Sequence, residues 1–197
     1  MKILIVSDTH KAHVSLEQVL EREKPIDMLI HLGDVEGGAD YIEALADCPV
    51  HIVAGNNDYF SDLPQEEEFV VEGNHIFITH GHYYYVSMGE SDLLKEAKGR
   101  DADVVMYGHT HKPSLHEEDG VTILNPGSIS YPRQSGRQKT YMIMEIDASG
   151  VPEIELKYVK KKTCNKIAKK IKKVIDNIRT LLYNSYCVTE IQQDDTK

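Results

Sequence analysis

The chain has 197 residues, with 22 Lys and Arg against 32 Asp and Glu, a formal net charge of −10 and three cysteines. That length supports one domain with a sizeable core, or one domain plus a tail. No apolar run approaches the roughly 20 residues of a membrane helix, and Cys48, Cys164 and Cys187 are too scattered for a disulfide framework or a zinc finger. Charge is uneven: residues 160–182 carry nine basic side chains and one acidic, residues 183–197 a net −2, and residues 1–159 the remaining −16. An acidic body is a poor match for duplex nucleic acid and a good one for divalent cations. Met1–Val6 runs into Asp8 without the pattern of a secretory leader, so a cytoplasmic location is expected.

Taken in chain order, Lys2–Val6 reads as a buried strand and Ser15–Arg22 as a helix with Leu16, Val19 and Leu20 on one face. A strand at Met28–His31, a helix at Tyr41–Ala46 and a strand at His51–Ala54 follow. Phe69–Val71 and Ile76–Thr79 read as a hairpin turned by Gly73-Asn74. Ser91–Lys98 is predicted helical and Val104–Tyr107 extended. Ser114–Glu118, Val121–Leu124, Tyr141–Ile146 and Glu153–Tyr158 complete the strands. The first half alternates strand and helix, which implies a parallel sheet with crossover helices.

The chemistry sits in the loops. Asp8-Thr9-His10, Gly33-Asp34, Gly55-Asn56-Asn57-Asp58, His80-Gly81-His82 and His109-Thr110-His111 each follow the C-terminal end of a predicted strand. In open α/β sheets ligands bind at that edge, so these loops can converge on one crevice. If the strands stay extended into the loops, Asp8 and His10 point the same way, as do His109 and His111. Asp34, with two oxygens, is the best carboxylate for sharing between two cations. Imidazole, carboxylate and amide oxygen without thiolate suit Mn, Fe, Ni, Co or Zn better than Ca or Mg, and structural zinc usually uses Cys. Two adjacent cations are a device for cleaving phosphate esters.

In these five ordered blocks the chain resembles the calcineurin-like metallophosphoesterases. Asn125-Pro126-Gly127-Ser128 is similar to the small bacterial and archaeal phosphodiesterase branch of that superfamily. The resemblance covers roughly residues 1–160 and implies a four-layer α/β/β/α sandwich with a two-metal site between the loops. It implies Asp8, His10, Asp34 and His111 on one ion, and Asp34, Asn56, His80 and His109 on the other. The ions are expected to be divalent transition metals, Mn first, with Ni, Fe, Co or Zn as alternatives. The implied reaction is hydrolysis of a small phosphodiester by a metal-bridging hydroxide that attacks phosphorus in line. Many members carry His after the ligand Asn, where it can protonate the leaving group; here Asn57 stands there, and an amide is no general acid. His82 is the nearest other acid in sequence, with support of a neighbouring ligand as its blander role. Diesters are therefore expected over alkyl monoesters.

Three further features are set apart from that core. Arg133, after Tyr131-Pro132, reads as a structural ion pair before a phosphate contact, and Tyr83-Tyr84-Tyr85 as an aromatic wall, a packed loop or a dimer contact. Residues 161–182 read as a basic amphipathic helical extension that docks on the acidic body of its own or a neighbouring chain, with RNA or a membrane as other partners. Residues 183–197 read as a poorly ordered tail. The alternative from a different class is a metal-binding interaction scaffold on the same fold, resembling the retromer subunit of the superfamily.

Overall fold

The computed structural model describes residues 1–160; the expected basic helix over 161–182 and the tail over 183–197 lie outside the described residues. The order of elements is β1 (Lys2–Val6), α1 (Val14–Glu23), β2 (Met28–His31), α2 (Ala39–Leu45), β3 (Val50–Ile52), β4 (Glu66–Val71), β5 (Asn74–Thr79), α3 (Ser91–Gly99), β6 (Val104–Met106), β7 (Pro113–Glu118), β8 (Val121–Pro126), β9 (Thr140–Ile146) and β10 (Pro152–Tyr158). A single 3-10 turn, His82–Tyr84, lies between β5 and α3. No described helix is long and apolar enough to cross a membrane.

The strands form two five-stranded sheets, ordered β10-β9-β1-β2-β3 and β4-β5-β6-β8-β7. β1, β2 and β3 are parallel and joined through α1 and α2; β5, β6 and β8 are parallel in the second sheet. Antiparallel strands close the edges: β9 and β10 on one sheet, β4 and β7 on the other.

Period-two alternation sorts side chains between layers. Ile3, Ile5, Met28, Ile30, Met142 and Met144 from the first sheet meet Ile76, Ile78, Val104, Met106 and Leu124 from the second in one buried cluster. The intervening residues face outward: Leu4, Val6, Leu29 and Ile143 pack on Leu16, Val19 and Leu20 of α1 and Ile42 of α2. Phe77, Val105 and Ile123 pack on Leu93, Leu94 and Ala97 of α3. Helices thus cover both outer faces, giving the four-layer α/β/β/α sandwich. Each buried aliphatic side chain contributes roughly 1.5–3 kcal/mol of transfer free energy.

One local expectation needs correction. The β4–β5 hairpin turns on Glu72-Gly73, not Gly73-Asn74: Val71 pairs with Asn74, and Glu72 and Gly73 take φ of 48° and 84°. Two successive left-handed residues make the tight turn that matches strand twist, and Asn74 begins β5.

A polar knot ties the first sheet to α1. Glu23 is 8 % exposed, yet Tyr141 Oη and Arg22 Nε donate to its Oε1 at 2.7 and 3.1 Å. Lys2 Nζ and Lys157 Nζ each approach its Oε2 at 3.4 Å. Burial pushes this carboxyl's pKa up, but the Arg22 hydrogen bond and the charges of Lys157 and Lys2 outweigh it and hold the carboxyl below its ordinary range. A depressed carboxylate stabilises the fold above its unfolded pKa, and the contribution is lost as pH falls through the folded value. Glu23→Gln is therefore expected to cost about 1–3 kcal/mol at neutral pH by denaturant titration. The gap from wild type should narrow as pH falls below the ordinary carboxylate range and through the depressed folded value; a gap unchanged into acid contradicts the assignment.

Candidate metal centre

The C-terminal ends of β1, β2, β3, β5 and β6 each deliver a polar loop. The backbone does not stay extended as it leaves them. Asp8, His10, Asp34, His109 and His111 all adopt left-handed conformations, with φ of 55°, 45°, 57°, 64° and 58°. Such non-glycine residues store of order 1–3 kcal/mol each and cluster at functional sites. The extended geometry expected for both pairs is thus corrected: Asp8 and His10 still bring donor atoms within 4.8 Å of each other, whereas His109 turns toward Asn56 and His111 toward Asp8. Two glycines let the loops meet. A Cβ on Gly55 would stand 2.2 Å from Asp34 Oδ1, and one on Gly108 2.1 Å from Ser7 Oγ.

Asp8, His10, Asp34 and His111 each offer one donor atom, all within 4.8 Å of one another. Asn56 Oδ1 lies 3.2 Å from His80 Nε2 and 2.8 Å from His109 Nδ1. Between the groups stands Asp34, whose Oδ2 is 3.6 Å from His10 Nε2 and 3.6 Å from His80 Nε2. All seven donors singled out in the sequence therefore share one crevice, in two groups that meet at Asp34.

The imidazoles are oriented by their outer nitrogens. His10 Nδ1–H donates to Glu36 Oε1 at 2.6 Å, His80 Nδ1–H to the Leu32 carbonyl at 2.6 Å, and His111 Nδ1–H to the Tyr131 carbonyl at 2.6 Å. With its outer nitrogen engaged, each ring turns Nε2 into the crevice, the arrangement in which a histidine is oriented for a cation. There the ring nitrogens crowd one another and Asp8: His10 Nε2 is 3.3 Å from His111 Nε2, and His111 Nε2 is 3.1 Å from Asp8 Oδ1. Asp8 is wholly buried, and neither of its oxygens has a partner in hydrogen-bonding geometry. A proton or a cation must lie between such groups. For Asp8, burial raises the pKa, but His111 and the charge of His80 overcome that and lower it. For His111, burial acts downward, but Asp8 holds the imidazolium and the pKa rises. A cation must displace that proton, so affinity increases as pH rises through the His111 transition. The donor set fits divalent metal ions.

Several organising residues carried no role in the sequence reading. Asp58, 8 % exposed, accepts from four backbone amides: Asp34 N at 2.8 Å, Val35 N at 3.3 Å, Glu36 N at 2.5 Å and Gly55 N at 2.7 Å. It fastens the β2 loop to the β3 loop. His31 is buried and held neutral, with its pKa pushed down to about 3 chiefly by burial; its Nδ1 accepts from Gly33 N, and its Nε2–H faces Thr9 Oγ1 at 3.1 Å. In the Asn125–Ser128 segment, Asn125 Nδ2 donates to the Gly108 carbonyl at 2.7 Å, and Ser128 Oγ donates to the Asp8 carbonyl at 2.9 Å. That motif positions the loops bearing Asp8 and His109.

Asn57, in the usual acid position, and His82, the nearest other acid in sequence, both border the centre. Asn57 directs its amide at Asp34, donating from Nδ2 to Oδ2 at 2.7 Å and from its backbone N to Oδ1 at 2.8 Å. His82 sits beside the crevice, its ring 5.4 Å from His80 and 6.2 Å from His109. Burial and the neighbouring charges of His80 and His109 push its pKa down to about 4, so it is neutral at pH 7. The Tyr131–Arg133 segment borders His111, since Arg133 N donates to the His111 carbonyl at 3.0 Å. Arg133 makes no ion pair among the described residues, in contrast to the structural pairing expected for it. Of the three tyrosines, Tyr84 donates to Glu66 at 2.5 Å and packs on Phe77, whereas Tyr83 and Tyr85 are exposed.

Residues 1–149 match the family model described as the calcineurin-like phosphoesterase superfamily domain, and the chain belongs to that superfamily. It is 32 % identical over 148 residues to a protein of Bacillus subtilis described as a probable metallophosphoesterase, covering 75 % of this chain and 85 % of that one. It is 32 % identical over 145 residues to a phosphodiesterase of Methanocaldococcus jannaschii, covering 64 % and 83 % of the two chains. Among solved structures, a single mutant of Vps29 from Entamoeba histolytica superposes with a TM-score of 0.65 at 24 % identity, over 81 % of this chain and all of that one; this is a likeness of fold. Family and relatives make the protein a metal-dependent phosphoesterase.

Asp58 offers a clean test of how the centre is built. Asp58→Ala leaves four amides without their acceptor, and is expected to cost about 2–4 kcal/mol in stability and on the order of 10–100-fold in cation affinity. Calorimetric titration with Mn²⁺ alongside thermal unfolding checks both; unchanged affinity contradicts the organising role.

Proposed function

We propose that the protein is a dinuclear metal-dependent phosphodiesterase. One observation carries the reading: Asp34 Oδ2 stands midway, 3.6 Å from an imidazole nitrogen of each donor group. Asp8, His10 and His111 would complete one cation position, and Asn56, His80 and His109 the other. Divalent cations bound there would neutralise charge on the phosphoryl oxygens and make water acidic enough to yield a nucleophile near neutral pH. Mn is the first ion to try, with Ni, Fe, Co and Zn next, since the donor set lacks thiolate.

The chain's own residues do the rest. Glu36, Leu32 O and Tyr131 O fix the imidazole tautomers, and Asn57 steadies the shared carboxylate. Arg133, exposed and near enough for its charge to act on His109 and His111, is the group to receive a phosphoryl oxygen. Asn57 offers no proton, and His82 with a pKa of about 4 is neutral at working pH, so we assign His82 to shaping the crevice. A site without an acid favours leaving groups that depart as stable anions. This supports aryl and other activated diesters over alkyl monoesters. The scaffold reading needs no inward-facing donors; seven side chains that converge on one crevice support the enzyme.

Two measurements test the proposal. Mn²⁺-reconstituted protein is expected to hold two ions per chain by elemental analysis and to hydrolyse bis(4-nitrophenyl) phosphate. Asp34→Ala should lose both ions and on the order of 10³-fold in kcat/KM; one ion per chain with undiminished turnover contradicts the dinuclear reading. Asn57→His restores a candidate acid, and is expected to raise turnover of an alkyl ester more than of the aryl diester. No relative gain for the poorer leaving group removes the account of Asn57.

A further inference from the structure

Beside the metal centre lies a cleft of about 420 Å³ lined by Lys11, Glu36, Gly37, Asn57, Asp58 and Tyr59. Small-molecule sites span roughly 300–1,000 Å³, so it can seat a group of nucleoside size. Two of its lining residues also hold the centre. Glu36 Oε1 receives the His10 Nδ1–H at 2.6 Å, and Asn57 Nδ2 donates to Asp34 Oδ2 at 2.7 Å. A phosphodiester gripped at Asp34 therefore has one of its arms beside this cleft.

The lining has a defined chemistry. The Lys11 side chain is 69 % exposed and its only described carboxylate neighbour is Glu36 Oε2 at 3.8 Å, which leaves a cation open to an anionic oxygen. Lys11 is held there by a left-handed backbone, φ 61°. Glu36 Oε2 and Asn57 Oδ1 accept no hydrogen bond among the described residues and can receive hydroxyl donors. Tyr59 is 76 % exposed, and its ring touches no other aromatic ring among the described residues. An aromatic face kept in water beside a polar cleft is a stacking platform. An alkyl arm would leave the polar lining unpaired and the tyrosine face bare.

We infer that this cleft holds one ester arm of the substrate and selects arms of nucleoside chemistry, with a heteroaromatic ring on Tyr59, hydroxyls on Glu36 and Asn57, and Lys11 on a phosphate oxygen. The inference rests on the phosphodiesterase reading for its geometry. The acidic body points to small nucleotidyl diesters rather than duplex polynucleotide as the natural class.

The test uses full-length Mn²⁺-loaded protein and two esters with the same leaving group, thymidine 5′-(4-nitrophenyl) phosphate and methyl 4-nitrophenyl phosphate. Tyr59→Ala should raise KM for the thymidine ester about tenfold, leave kcat within about twofold, and leave the methyl ester untouched. Lys11→Ala should weaken both esters. Calorimetric binding of thymidine 5′-monophosphate and methyl phosphate gives a readout that needs no turnover: the nucleotide should bind about tenfold tighter to wild type, and Tyr59→Ala should erase that difference. Equal binding of the two monophosphates by wild type, or an equal effect of Tyr59→Ala on both esters, overturns the cleft assignment. Nucleotide binding that depends on Tyr59, with neither ester hydrolysed, overturns the phosphodiesterase reading and leaves the cleft as a nucleotide site.

Discussion

Donor atoms for a cation, crowded together at a largely buried crevice, set the terms for this molecule. Asp8 is buried without a hydrogen-bonding partner, and His10, His80 and His111 have given their outer N–H groups to Glu36, Leu32 and Tyr131. Buried acceptors without donors are costly, so a fold that assembles them needs positive charge among them. The rest of the architecture can be read as the means of bringing them together. Parallel strands put five loops at one edge, glycines let those loops approach, and Asp58 gathers four amides to lock two of them.

The site is also where the chain gives up local stability. Left-handed aspartates and histidines are held by the surrounding hydrogen bonds: Ser128 grips the Asp8 carbonyl, and Asn125 the Gly108 carbonyl. The interior of the sandwich is the opposite case, a three-cluster apolar core sorted by simple alternation. Strain in the loops is affordable because that frame over-determines their ends.

Much of this was legible from residue types. The strands declared themselves as short apolar runs, and metal-donor side chains stood just beyond their ends, so the crevice could be placed before any coordinates, while the choice of Asn56 over Asn57 and of His80 over His82 as ligands rests on the family resemblance. What failed was geometry within the loops. Extending the strand through Asp8-Thr9-His10 ignored the left-handed turns that follow, and the partition of His109 from His111 came only with the family resemblance. Asp58 was hidden for another reason. A carboxylate closing Gly-Asn-Asn-Asp reads as a local turn former, whereas three of its partners lie at positions 34–36. Asn57 was read for the proton it lacks, and its hydrogen bond to Asp34 could not be seen in sequence. Arg133, expected in a structural ion pair, has none among the described residues, which shows only in three dimensions.

The functional account reduces to whether two cations sit close enough to share Asp34. Electron paramagnetic resonance of the Mn²⁺-reconstituted protein tests this directly, because ions about 3.5–4 Å apart, as in two-metal hydrolases, interact magnetically. The account predicts the broadened, temperature-dependent spectrum of an exchange-coupled pair, lost in Asp34→Ala. A simple six-line signal from isolated Mn²⁺ at full loading would contradict it.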